Sequence, residues 1–184
     1  MSDAAYRLGN KIVEVISRTQ FQPGYPKWAE QHPSDGSAPL PARPGASKTT
    51  TWCNEAANAV LVELGFDTRP ILDPKGIGWT YSTAMVANAI RCAAVGGCGV
   101  FEVSSRQAQA WANIGVPVLA AANDPTGKQP GHLGIVSPTE DAWNPQAGPW
   151  IGQAGAVNGF RSAYDSFTKW GLNPPRFFIM PLKA

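Results

Sequence analysis

The sequence predicts an α+β protein in which one helix packs on an antiparallel sheet of about four to six strands. The order of elements carries that expectation. Helical spacing of apolar residues marks the first half of the chain, and a run of strands separated by turn-rich pieces marks the second. A third observation joins them. One helical segment opens on Cys53, and one alternating segment opens on His132, in a chain with two histidines.

Residues from about Ala4 to Gln20 read as a helix, with Leu8, Ile12, Val13, Val15 and Ile16 on one stripe. From Phe21 to about Lys48 the pattern dissolves among Pro23, Pro26, Pro33, Pro39, Pro41 and Pro44, an irregular binding loop or surface wrap. The Cys53 helix follows and stops at Gly65, a good C-terminal signal. A loop through Pro70, Pro74, Gly76 and Gly78 leads to a helix from about Ser82 to Ala93. A strand near Val100 to Val103 and a short helix from about Ser105 to Asn113 come next. Strands are then expected at Val116 to Ala121, His132 to Val136, Trp150 to Ala156 and Arg176 to Leu182. No internal repeat is evident. The expectation is a single catalytic domain over residues 1–184, with a helix and proline-rich segment in 1–50 and the core in 51–184.

Bulk properties narrow the function. With 43% hydrophobic and 15% charged residues in 184, the chain reads as one folded globule. A net charge of +2 makes no case for nucleic-acid binding. No apolar run approaches the roughly 18 residues of a membrane span. The N-terminus lacks a basic start followed by an apolar stretch, so synthesis in the cytoplasm without a secretory signal is expected. The cysteines and histidines lack paired metal-ligand spacing, and neither metal nor cofactor is expected. Cys92 and Cys98 flank a glycine-containing turn. They either close a small disulfide loop or serve separately as buried residues, and spacing does not decide between the two.

Counting from Cys53, residues Ala56, Ala57, Val60, Leu61 and Leu64 fall on one helical stripe, with the thiol at its N-terminal end. The positive end of a helix favours thiolate, and its unpaired N–H groups suit an oxyanion. Thr49, Thr50 and Thr51 are available as caps. His132 shares one strand face with Gly134 and Val136, while Leu133 and Ile135 take the other. Gly131 and Gly134 are expected to leave clearance around the ring. His32 lies in the proline-rich connection, where exposure is expected. A third polar group would orient the imidazole, and two residues are candidates: Gln153 inside the next strand, preferred, and Asn158 where that strand ends.

The segments TWCNEAANAVL, GVPVLAAAND ahead of GHLGIVSP, and PWIGQAGAVNGF occur in this order. From Thr51 to the C-terminus the chain therefore resembles papain-like cell-wall cysteine hydrolases, the class of NlpC-type peptidases and CHAP amidases. It is similar to peptidoglycan amidases of phage lysins and of toxins delivered by bacterial secretion systems. The resemblance implies a papain-like core and hydrolysis of an amide bond in the peptide stem or cross-link of peptidoglycan. By position Cys53 would be the nucleophile and His132 the base. Gln153 falls where NlpC-type enzymes often carry a second histidine, and residues before Thr51 match nothing in that pattern.

The expected protein is thus a monomeric cysteine amidase that acts on the cell wall, in the periplasm or outside the cell, after delivery or lysis. A peptidoglycan peptide is its substrate, and an immunity protein its partner if it is a toxin. Trp52, Asn54, Trp79, Tyr81 and Trp143 are candidate cleft-lining residues. Two alternatives stay open: a transglutaminase-like acyltransferase using the same dyad, and a non-catalytic cell-wall-binding module.

Overall fold

The structure, a computed structural model, describes residues 1–33, 36–41, 52–72 and 82–184. Helix α1 spans Asp3–Ser17 and turns Leu8, Ile12, Val15 and Ile16 into the core. Its N-terminus is capped by Ser2, whose hydroxyl accepts the Ala5 N–H at 3.2 Å. The proline-rich stretch is not wholly irregular. It holds a short helix, α2 (Tyr25–Gln31), because Pro26 stands in the first turn, where a missing N–H costs nothing. Helix α3 runs Cys53–Glu63 and α4 Ser82–Val95. Strand β1 (Phe101–Val103), helix α5 (Ser105–Asn113) and strand β2 (Leu119–Ala122) follow. Then come β3 (His132–Val136), β4 (Trp150–Gln153), β5 (Gly159–Ser162), α6 (Ala163–Ser166) and β6 (Arg176–Ile179).

The strands form one six-stranded antiparallel sheet in the order β1-β6-β2-β3-β4-β5, so the fold is α+β. The expected strand from Trp150 to Ala156 is shorter and turns back at Gly155 into β5, an element the sequence reading missed. Its residues Gly159-Phe160-Arg161-Ser162 are too few to establish an alternation.

Small residues set the spacing between layers. A Cβ on Gly152 would stand 2.3 Å from Ile12 Cγ2, so α1 rests directly on β4. A Cβ on Gly134 would stand 2.5 Å from Ile151 Cγ2. The expected clearance at Gly134 is therefore filled, and at Gly131 a Cβ would meet the Ala122 carbonyl and Asn123 Oδ1 at 2.7 Å. These glycines permit close approach of neighbouring atoms at their own positions, and the clearance beside the histidine does not come from them.

Helix α3 ends as its sequence predicts. Gly65 adopts φ 85°, its N–H donates to Val62 O, and the Phe66 N–H donates to Leu61 O. That pair of bonds is a Schellman closure, which glycine reaches without strain. Lys11 of α1 and Arg18, its C-cap, both bridge to Glu63, clipping α1 to α3.

Candidate functional site

Cys53 is the first residue of α3, and His132 the first of β3. The two elements pack against each other, so the thiol meets the imidazole. Both line one cavity of about 210 Å³, together with Gln153, Gly131, Ser166 and Trp170. Cys53 is only 5% exposed.

His132 Nε2 lies 3.0 Å from Gln153 Oε1. The orientation of that amide is set independently, because Gln153 Nε2 donates to the Val157 carbonyl at 3.4 Å. The oxygen therefore faces the ring, and His132 must carry a proton on Nε2 to donate to it. Nδ1 is left for the thiol. Phe167 packs on the ring with centroids 5.2 Å apart, limiting its rotation.

The electrostatics oppose one another. Burial pushes the Cys53 thiol up, but the His132 ring, by its charge and as a hydrogen-bonding neighbour, brings it below its ordinary value. The backbone N–H groups of Leu133 and Asn54 act in the same direction. For His132, burial lowers the pKa, while the Cys53 charge and the bonds to Cys53 and Gln153 raise it above the usual value. The arrangement favours a thiolate beside an imidazolium.

The loop between β2 and β3 is fixed from within. Asp124 accepts the N–H groups of Thr126, Lys128 and Gln129 and the Thr126 hydroxyl. Those bonds, the Thr126 N–H foremost, hold its carboxyl down at about 2. At the loop's end the Gly131 N–H donates to Thr83 Oγ1 of α4 at 3.1 Å. Gln129 and Gly131 are thereby held at the cavity wall.

Asn158 does not join the histidine. Its Oδ1 accepts the Gly155 N–H and its Nδ2 donates to Thr19 Oγ1, both at 2.9 Å, so the amide is consumed in bracing the β4–β5 loop. Trp52 and Asn54 are not among the described residues lining the cavity. Trp143 lines a separate depression with Trp150, away from Cys53. Trp79, Tyr81 and the capping threonines Thr49, Thr50 and Thr51 lie outside the described residues. His32 is half-buried, stacked on Trp28 at 3.6 Å, because α2 brings the two rings together. Cys92 and Cys98 are free thiols. Burial and the neighbouring Cys98 push Cys92 up to about 11.

Sequence reasoning missed two contributors. Gln22, buried, accepts the Trp52 N–H through Oε1 at 3.0 Å and so fixes the residue just ahead of Cys53. Ser166 lines the cavity with a buried hydroxyl that has no partner among the described residues. Neither lies in a periodic pattern, so no sequence signal marks them. Among the described residues, no group of three or more His, Cys, Asp or Glu is placed to hold a metal, and no helix is long and apolar enough to cross a membrane.

No protein-family model, curated protein or solved structure matches the chain.

Proposed function

We propose that the chain is a cysteine amidase with a papain-like core, acting on an amide bond in the peptide stem or cross-link of peptidoglycan. The observation that carries this is the Cys53, His132 and Gln153 array lining one cavity, with the histidine's two nitrogens divided between thiol and amide. The wall polymer as substrate rests on the resemblance of the segments around these residues to cell-wall cysteine hydrolases.

The Cys53 thiolate attacks the amide carbonyl, forming a carbon–sulfur bond and an oxyanion. The N-terminal end of α3, where the helix dipole is positive, suits that oxyanion. The imidazolium gives its Nδ1 proton to the leaving nitrogen as the carbon–nitrogen bond breaks. Neutral His132 then takes a proton from water, which adds to the thioester and releases a carboxylic acid and the thiolate. Gln153 keeps the Nε2–H tautomer throughout and adds no charge of its own.

The test is digestion of purified peptidoglycan, read by mass spectrometry of the released muropeptides. Wild-type protein is expected to open a stem or cross-link amide, and Cys53→Ala to lose that activity. Undiminished cleavage by Cys53→Ala would overturn the assignment.

A further inference from the structure

A second and larger groove, about 460 Å³, adjoins the Cys53 cavity, and Ala156 and Val157 of the β4–β5 loop line both. One wall is α2, which contributes Lys27, Gln31 and His32. The other is β5, which contributes Phe160 and Arg161. Two features distinguish this groove from an ordinary surface depression.

The first is charge. None of the described residues lining it is acidic, and neither Lys27 nor Arg161 makes an ion pair among the described residues. Arg161 feels the field of Asp165, but that carboxylate is taken up by Ser162 and Lys169. Two cations facing one groove without an ion-pair partner among the described residues favour an anion arriving from solution.

The second is a rigid floor. Trp28 is 4% exposed and its indole N–H donates to Ser17 Oγ at 3.1 Å, so the ring is held. His32 stacks on it with planes 5° apart, and Phe160 packs beside it with centroids 6.1 Å apart. His32 Nδ1 is engaged with the Trp28 carbonyl at 3.3 Å, which leaves Nε2 for a ligand. The α2 wall of the groove is docked to the β4–β5 loop by close contact. The Gly24 N–H donates to Gly155 O at 2.8 Å, and a Cβ on Gly24 would fall 2.5 Å from Asn158 N.

We infer that the groove between α2 and β5 is a substrate subsite that binds a carboxylate of the peptide whose amide is presented to Cys53. The inference rests on the amide-hydrolysis reading and takes one peptide to run from the Cys53 cavity past Ala156 and Val157, which border both cavities, into the groove. Lys27 and Arg161 hold the carboxylate, and the Trp28–His32 stack supports the backbone beside it. The N-terminal segment that matches no family pattern thereby acquires a role in specificity.

The experiment uses full-length protein carrying Cys53→Ala and two synthetic peptidoglycan stem peptides, one with free carboxylates and one with the same carboxylates amidated. Calorimetry is expected to give about tenfold tighter binding of the free-carboxylate peptide, with the preference shrinking as salt is raised. In the Lys27→Ala, Arg161→Ala double variant the two affinities should converge, whereas Lys27→Arg should keep the preference. Equal affinity for the two peptides, no binding of either, or a preference that survives the double variant overturns the inference. Cleavage by the unmodified protein is measured separately. Carboxylate preference without cleavage removes the hydrolase reading and leaves the binding site, and cleavage without preference does the reverse.

Discussion

Gln153 Oε1 lies 3.0 Å from His132 Nε2, and the same amide is anchored by its nitrogen on the Val157 carbonyl. A neutral side chain therefore sets the tautomer of the imidazole that faces Cys53. A charged partner would bind an imidazolium more tightly, but Gln153 and the thiol beside the ring are buried, and a third ion there would need its own compensation.

Replacing Gln153 with Ala should lower kcat/KM by about 10- to 100-fold, the worth of a hydrogen bond to a group that becomes charged. Gln153→His should recover part of the loss. Asn158→Ala, which removes only the loop brace to Gly155 and Thr19, should chiefly lower the unfolding temperature. Equal kinetic losses in Gln153→Ala and Asn158→Ala would show that the orienting role is misassigned.

The pH dependence follows from two shifts of opposite sign. Cys53 is held below its ordinary value and His132 above it, so thiolate and imidazolium stabilise each other, the thiolate being lost as pH falls through the lowered thiol pKa and the imidazolium as pH rises through the raised imidazole pKa. The two apparent values belong to the pair. Iodoacetamide at neutral pH should therefore alkylate Cys53 at least about 10-fold faster than Cys92, which is pushed up to about 11 and is almost wholly protonated there. Peptide mapping after brief labelling reads the order, and first modification at Cys92 would contradict it.

Gly24 sets the docking of α2. A Cβ there would fall within 2.8 Å of Val157 backbone atoms and 2.5 Å of Asn158 N, neither of which can yield as a flexible side chain would. Gly24→Ala should destabilise the protein by about 1–3 kcal/mol, the usual cost of overpacking. It should also reduce turnover, because the displaced loop carries the carbonyl that orients Gln153. Denaturant unfolding and kinetics on one variant test both halves.

Gly152→Ala probes the layer beneath the site. Its Cβ would stand 2.3 Å from Ile12 Cγ2 and 3.1 Å from Phe160 Cε1, forcing α1 away from β4. A loss of about 1–3 kcal/mol in unfolding free energy is expected. Pairing it with Ile12→Val should return part of that loss, since the shorter side chain removes one of the clashing groups.

Much of the architecture was legible along the chain. The Cys53 helix shows an apolar stripe and a glycine stop, and both survive as α3 with its Schellman end. The His132 strand shows a short alternating pattern, and it begins at the residue expected. The proline-rich stretch was less legible, because α2 is too short to display a period. Its key residue, Trp28, is buried by contacts with Ser17 and Phe160, which are distant in sequence.

Local pattern by itself determined that a thiol would begin a helix, that an imidazole would begin a strand, and that both belong to an α+β chain. Hydrophobic periodicity reports only on neighbours within a turn or a pleat. Tertiary structure alone decided that the two meet across one cavity, that Gln153 and not Asn158 bonds the ring, and that residues 19–24 reach both Trp52 and the β4–β5 loop. Those outcomes depend on side chains brought together from far apart in the chain, where the choice between two similar amides is made by which backbone groups stand nearby unpaired.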